Sequence, residues 1–205
     1  MNIAVLVPVT SNKRLYEKFE DTDLFKYLFK SFFTTYNPKY KYNFYIGIDE
    51  DDKFYQKEII KKIITRFFNI MKNAKIKFID ISILYKGNVC AIWSKLYKLA
   101  LDDEVNNNFF LQIGSDIQFV DKGWVDASIN ILQKNKFIGV VGMTDQGRKN
   151  WNKDDELITQ SFVSRLHYDI FGFYFPPEIK NWGCDNWIGD IYDVANKKFI
   201  IKQRI

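Results

Sequence analysis

The amino-acid sequence predicts an α/β protein with one mostly parallel central sheet and helices on both of its faces. Three observations carry that prediction. Residues 3–9 form a short, continuous run of apolar, largely β-branched side chains, as expected of a strand covered on both faces. Runs of this kind alternate with stretches whose apolar residues recur at helical spacing, and a β-α-β-α-β-α-β order builds a parallel sheet. The chain has 205 residues, 47% hydrophobic and 27% charged, enough to bury roughly 70% of the unfolded surface without a disulfide or structural metal. That composition excludes a disordered or fibrous protein.

The elements follow in order. The first helix opens at Asp23, where Leu24, Phe25, Leu28, Phe29, Phe32 and Phe33 share a face, and it ends before Asn37-Pro38. Residues 42–48 read as a second strand, and Ile59, Ile60, Ile63, Ile64, Phe67 and Phe68 as the stripe of a second helix. Residues 76–84 supply a third strand. Val89, Ile92, Trp93, Leu96, Tyr97 and Ala100 mark a third helix capped by Asn88, and residues 108–113 a fourth strand. Beyond Gly114 the pattern loosens into a helix over 123–133, a strand over 137–143 and a polar stretch, 144–155, placed to act as a lid. A strand over 159–164, a helical turn over 166–171, a helix over 185–194 and an edge strand over 198–202 complete the chain. No repeat or linker interrupts it, so a single domain is expected.

Composition narrows the function classes. The net charge is +5, but the lysines are spread out and alternate with Ile, Asn or Phe. A nucleic-acid footprint needs clustered Lys/Arg, so nucleic acid is not an expected partner. Cys90 and Cys184 form no CxxC pair and no zinc cluster, and are expected to be reduced thiols of a cytosolic protein. The opening apolar run lacks a basic flank and stops after about eight residues, too short for a signal peptide or for the roughly 20 residues of a bilayer span. No membrane span is expected, and the location is read as cytoplasmic.

Ligands of an open parallel sheet bind beyond the carboxyl ends of its strands. Three such ends are polar: Pro8-Val9-Thr10-Ser11-Asn12, Asp49-Glu50-Asp51-Asp52 and Ser115-Asp116. A buried strand holds Asp116 rigidly at the rim; a plain turn or cap residue is the alternative. No GxGxxG or GxxxxGK[ST] supports a dinucleotide site or a P-loop. No GxSxG elbow is present, and a Ser-His-Asp hydrolase would have to use His167, the sole histidine. What remains is acidic chemistry. Carboxylates at a strand end suit Mn²⁺ or Mg²⁺, held by one or two of them while substrate phosphates and water fill the other positions.

Four segments together carry a resemblance: Ile3-Ala-Val-Leu-Val-Pro-Val-Thr10, Phe44-Tyr-Ile-Gly-Ile-Asp-Glu-Asp-Asp52, Gly114-Ser-Asp-Ile-Gln-Phe119, and the stretch from Asp169 to the Trp182-Gly-Cys-Asp185 sequence. They resemble the GT-A-fold nucleotide-sugar glycosyltransferases of the family 2 type, in the form of the short soluble domains encoded by large DNA viruses. The resemblance covers nearly the whole chain. It implies a Rossmann-like GT-A domain with a nucleotide-binding half, 1–116, and an acceptor half, 117–205. The implied reaction moves a sugar from a nucleotide diphosphate donor, UDP-linked, to an acceptor hydroxyl with inversion. Pro8, Val9 and Thr10 are then implied to line the base and ribose, Asp49 to accept a hydrogen bond from the base, and Asp51 and Ser115 to touch the nucleotide. Asp116 is implied to meet the metal. Ser115 stands where the family commonly has a first aspartate, which implies a metal affinity dependent on the diphosphate. Asp185 is the implied general base and Asp190 its fallback. For the acidic run 49–52 and for Asp185, a helix-capping role is the alternative reading.

Further candidates surround this set. His167 would touch the metal or donor phosphates, with a structural hydrogen bond as the alternative. Trp151 and Trp182 sit in polar or Gly/Pro-bearing segments and are chosen to stack on a sugar, whereas Trp93, Trp124 and Trp187 default to core. Arg148 and Lys149 are placed to clamp the diphosphate. Ser94 and Lys95 lie on a helix that contacts nucleotide in relatives, but without the Arg-Asn pair often found there. The implied partners are a nucleotide-sugar donor and a glycan or glycoprotein acceptor, in the host cytoplasm for a viral protein. Two other classes stay open. A sugar nucleotidyltransferase would normally show a glycine-rich loop where this chain has Thr10-Ser-Asn-Lys-Arg14, and Ser115 keeps open a catalytically inactive carbohydrate- or nucleotide-binding domain.

Overall fold

A computed structural model of the chain describes residues 1–148 and 157–205. Its central sheet contains β1 (Asn2–Val9), β2 (Lys41–Asp49), β3 (Ala74–Ile81), β4 (Phe109–Gln112), β5 (Val140–Thr144), β6 (Ser161–Ser164) and β7 (Lys198–Arg204). The spatial order is β3-β2-β1-β4-β6-β5-β7. Only β6 opposes its neighbours; the pairings β1–β2, β1–β4, β2–β3 and β5–β7 are parallel. The expected mostly parallel sheet is therefore observed.

Helices cover both faces. A wide π-type turn over Leu24–Phe29 runs into α1 (Lys30–Thr35), followed by α2 (Glu58–Asn69), α3 (Val89–Asp102), α4 (Trp124–Lys134), α5 (Leu166–Phe171) and α6 (Cys184–Asp193). Alternation along β1 sends its side chains into two separate cores. Ile3, Val5, Val7 and Val9 join Phe32 of α1, Ile64 of α2 and Trp124 of α4 on one face. Ala4 and Leu6 join Leu96 of α3 and Ile188 of α6 on the other. Both faces of β1 are thus covered, which is why its sequence is continuously apolar rather than alternating. Among the described residues, no helix is long and apolar enough to cross a membrane.

Element ends shift by a few residues throughout, and two strands and two caps depart from the sequence reading for a visible reason. The third strand ends at Ile81 rather than 84, because the Ser82 hydroxyl accepts from the Leu84 amide and turns the chain into a short helix, Ile83–Tyr85. The fifth strand starts at Val140, not 137: Lys136 and Phe137 adopt left-handed φ of 55° and 63°. Gly139 follows at φ 149°, where an added Cβ would lie 2.9 Å from the Lys197 carbonyl. The acidic run 49–52 does not cap α2, whose cap position is Lys57. Nor does Asp185 cap α6; Gly183 holds that position at φ 91°, and Asp185 falls in the first turn.

Candidate functional site

The site begins with a hydrogen bond that the sheet cannot make. β1 pairs with β2 through Val9 but with β4 only through Leu6, whose carbonyl accepts from the Ile113 amide at 3.3 Å. The next rung of a parallel ladder would run from the amide of residue 8 to the Ile113 carbonyl, and residue 8 is proline, which has no N–H. That carbonyl instead accepts the indole N–H of Trp93 on α3, at 3.3 Å. The carboxyl ends of β1 and β4 part here, and a cavity of about 320 Å³ opens at the sheet's rim.

Six residues expected at the nucleotide and metal line this cavity: Pro8, Val9, Thr10, Asp49, Ser115 and Asp116. Asp116 is exposed, and one of its carboxylate oxygens lies only 2.6 Å from where a Cβ on Gly114 would stand. Glycine at 114 therefore makes room for the carboxylate's position. The Gly114 amide donates to the Gln160 side chain at 3.3 Å, which ties the turn to the chain entering β6. Asp49 is half-buried, and burial pushes its carboxyl above the ordinary aspartate range. Thr10 opposes that rise and the neighbouring charges of Asp51 and Asp52 add to it.

The opposite wall was not foreseen as a site. Gly87, Asn88, Val89 and Asn181 belong to it. Asn181 accepts from the Val89 amide at 3.1 Å and donates to the Gly87 carbonyl at 2.5 Å, while the Lys180 carbonyl accepts from the Cys90 amide at 3.1 Å. Asn88 caps α3 as expected, accepting from Ala91 at 3.0 Å. The first amides of α3 are thus taken by protein groups. An asparagine reaching across about ninety residues leaves no local pattern in the sequence.

A second groove, about 360 Å³, shares Thr10 and Asp49 and adds Asp51, Asp52, Lys13 and Lys86. The two further carboxylates differ in kind. Asp51 is exposed and pairs with Lys86 at 2.6 Å, which lowers its pKa. Asp52 is buried and accepts from the Ser11 amide (2.5 Å), the Ser11 hydroxyl (2.9 Å), Phe54 (3.0 Å) and Tyr55 (2.7 Å). Its lone pairs are spent on shaping the loop after β1.

The C-terminal candidates scatter. Asp185 is half-buried in the first turn of α6 with its Oδ1 3.4 Å from the Cys184 sulfur, and it is not among the residues that line the cavity of Asp49 and Asp116. Asp190 is exposed but, at roughly 100° per residue, about 140° further round the helix, so the two carboxylates do not share a face. Trp182, next to Asn181, is 92% exposed. His167 does not reach the cavity: it is buried, with Nδ1 2.8 Å from the Tyr192 hydroxyl and Nε2 3.0 Å from the Tyr174 carbonyl. Burial lowers its pKa to about 4. Its role is the structural hydrogen bond that stood as the alternative. Ser94 and Lys95 face away, toward Phe175 and the Asp80 carbonyl. Arg148 ends a short helical turn, Gln146–Arg148, whereas Lys149, Trp151 and most of the lid stretch lie outside the described residues.

The donor set bears on the metal. Among the described residues, no group of three or more His, Cys, Asp or Glu side chains gathers as a closed metal site. The Asp116 carboxylate and Ser115 hydroxyl are hard oxygen donors on one open cavity, which fits a cation shared with a phosphate ligand.

Comparison with solved structures supports the architecture. Residues 1–349 of S. aureus TarS match with a TM-score of 0.65 at 12% identity, over 98% of this chain and 58% of that one. A longer TarS structure matches at 0.65 and 13%, over 98% and 35%. The 4-diphosphocytidyl-2C-methyl-D-erythritol synthase of Anaerococcus prevotii matches at 0.56 and 15%, over 98% and 86%. The chain therefore spans a little over half the length of TarS 1–349. At these identities the likeness is one of fold, and the fold is GT-A-like. No protein-family model matches the chain, and no curated protein sequence matches it.

Proposed function

We propose that the chain is a glycosyltransferase that moves a sugar from a UDP-linked donor to an acceptor hydroxyl, with inversion. The observation that carries this reading is the single cavity at the parted ends of β1 and β4, with Asp49 on one wall and Asp116 on another. Pro8, Val9 and Thr10 would flank the base and ribose. Asp49, when ionised, only accepts hydrogen bonds, so it suits the imide N–H of uracil and not the acceptor nitrogen at the same position of cytosine. Asp51 would contribute from the neighbouring groove, as a surface charge paired with Lys86.

Asp116 and Ser115 would hold Mn²⁺ or Mg²⁺ together with the donor's phosphates. When bound, such a cation would supply positive charge opposite the departing diphosphate. Asp185 would take the proton from the acceptor hydroxyl at its carboxylate. General-base assistance contributes roughly 10²- to 10⁴-fold, so Asp185→Asn would lose turnover on that scale and keep donor binding. Trp182 offers an exposed aromatic face for an acceptor glycan or glycoprotein, beside the cavity wall. The likeness to viral glycosyltransferase domains, and with it a host-cytoplasmic location, rests on the sequence segments alone.

One observation favours a second reading, nucleotidyl transfer: the A. prevotii synthase is matched over 86% of its own length. The glycine-free loop after β1 speaks against it. Incubation with UDP-sugars, Mn²⁺ and simple glycoside acceptors, followed by detection of UDP, tests the first reading. Release of pyrophosphate from a nucleoside triphosphate and a sugar phosphate would favour the second. UDP binding with no product of either kind would leave a binding domain and overturn both.

A further inference from the structure

The two cysteines, far apart in sequence, meet at the cavity wall. Cys90 lies in the first turn of α3 and Cys184 is the first residue of α6, and both are buried free thiols. Their sulfurs donate to the same acceptor, the Asn181 carbonyl, at 3.6 Å and 3.1 Å. Asn181 is the residue whose side chain joins this wall to Gly87 and Val89.

We propose that Cys90 and Cys184 are a modification site, a dithiol that a small peroxide converts into an intramolecular disulfide. Two features favour Cys90 as the sulfur that reacts first. Its pKa is lowered by the neighbouring Cys184, whereas that of Cys184 is raised, by Cys90 first and then by burial and the Asp185 carboxylate. The Cys90 thiolate attacks one peroxide oxygen and the O–O bond breaks. Cys90 becomes a sulfenic acid, and the released hydroxide takes up the Cys90 proton as water. The Cys184 sulfur then attacks the Cys90 sulfur, the S–O bond breaks, and the hydroxyl leaves with the Cys184 proton as a second water. One peroxide is reduced and two thiols are oxidised. Burial selects the oxidant: hydrogen peroxide is small enough to reach the pair, whereas a bulky disulfide such as oxidised glutathione is not.

The test needs no enzymatic activity, so it is independent of the proposed reaction. The folded protein is treated with hydrogen peroxide, excess oxidant is removed, and thiols are counted under denaturing conditions alongside intact mass. The expected result is a fall from two titratable thiols to none in a monomer lighter by two hydrogens, reversed by dithiothreitol. The reaction should be faster than in urea-unfolded protein and faster than with oxidised glutathione. In Cys184→Ser, dimedone should trap a sulfenic acid at Cys90. Retention of both thiols, independent oxidation of each to a sulfinic acid, or disulfide-linked dimers would overturn the proposal.

Discussion

The indole N–H of Trp93 donates to the Ile113 carbonyl at 3.3 Å, in the place where the sheet would have used the amide of residue 8. A proline and a tryptophan eighty-five positions apart thereby decide where β1 and β4 separate. Trp93→Phe would keep the ring and strand that carbonyl, at a cost of about 1–3 kcal/mol in urea denaturation. Pro8→Ala would restore the missing donor, narrow the crevice and weaken UDP binding in a titration. A Trp93→Phe protein as stable as the parent would refute this account of the opening.

The position of Asp116 depends on what Gly114 lacks. A Cβ there would come within 2.6 Å of a carboxylate oxygen, so Gly114→Ala should push the Asp116 side chain aside. Loss of Mn²⁺-dependent UDP binding comparable to that of Asp116→Ala is expected. Since Asp116 is exposed, Asp116→Ala itself should change stability by no more than about 0.5 kcal/mol. Unchanged cation-dependent binding in both variants would remove Asp116 from the metal.

Asp52 predicts the opposite pattern. Its buried carboxylate satisfies Ser11, Phe54 and Tyr55, so Asp52→Ala should destabilise the protein by about 2–4 kcal/mol and free the loop after β1. Asp52→Asn keeps one acceptor oxygen and should fall between the two. Chemical denaturation separates the three proteins.

His167 sets an acid limb to stability. Its Nε2 donates to the Tyr174 carbonyl, so its Nδ1 accepts from Tyr192 and the ring is neutral. The folded pKa is about 4, against about 6.5 unfolded, so between those values the unfolded chain binds a proton that the folded chain refuses. The stabilisation is complete above about pH 6.5 and is lost as pH falls toward 4, by about 3 kcal/mol in all. His167→Gln should be less stable at neutral pH but flatter across this window; a parent protein equally stable at pH 7 and pH 5 would contradict the assignment.

Asp49 should make UDP binding sensitive to acid. Burial raises its pKa, so the acceptor form disappears at a higher pH than for an exposed aspartate. UDP affinity should decline as pH falls through that raised value. Asp49→Asn should bind weakly at neutral pH and lack the decline. For folding the sign is reversed: the raised pKa stabilises the folded state only at acid pH, and that contribution is lost as pH rises through it.

Sequence periodicity alone was enough to identify β1, β2, α2 and α3, because strands covered on both faces and amphipathic helices repeat their apolar residues locally. The same logic located Thr10, Asp49 and Asp116, since the rim of a parallel sheet follows from where its strands end. Asn181, Trp93 as a hydrogen-bond donor, the buried Asp52 clamp and the Cys90–Cys184 pair left no such trace. Each depends on contacts between distant segments, and an Asn, a Trp or an Asp looks the same in a sequence whether it faces solvent or a partner across the fold. Local chemistry thus determined the layers and the acidic rim of this protein. Tertiary packing decided which carboxylates stay open to a ligand and which are spent on the fold, because burial and partner geometry, not residue type, set the free energy of a charge.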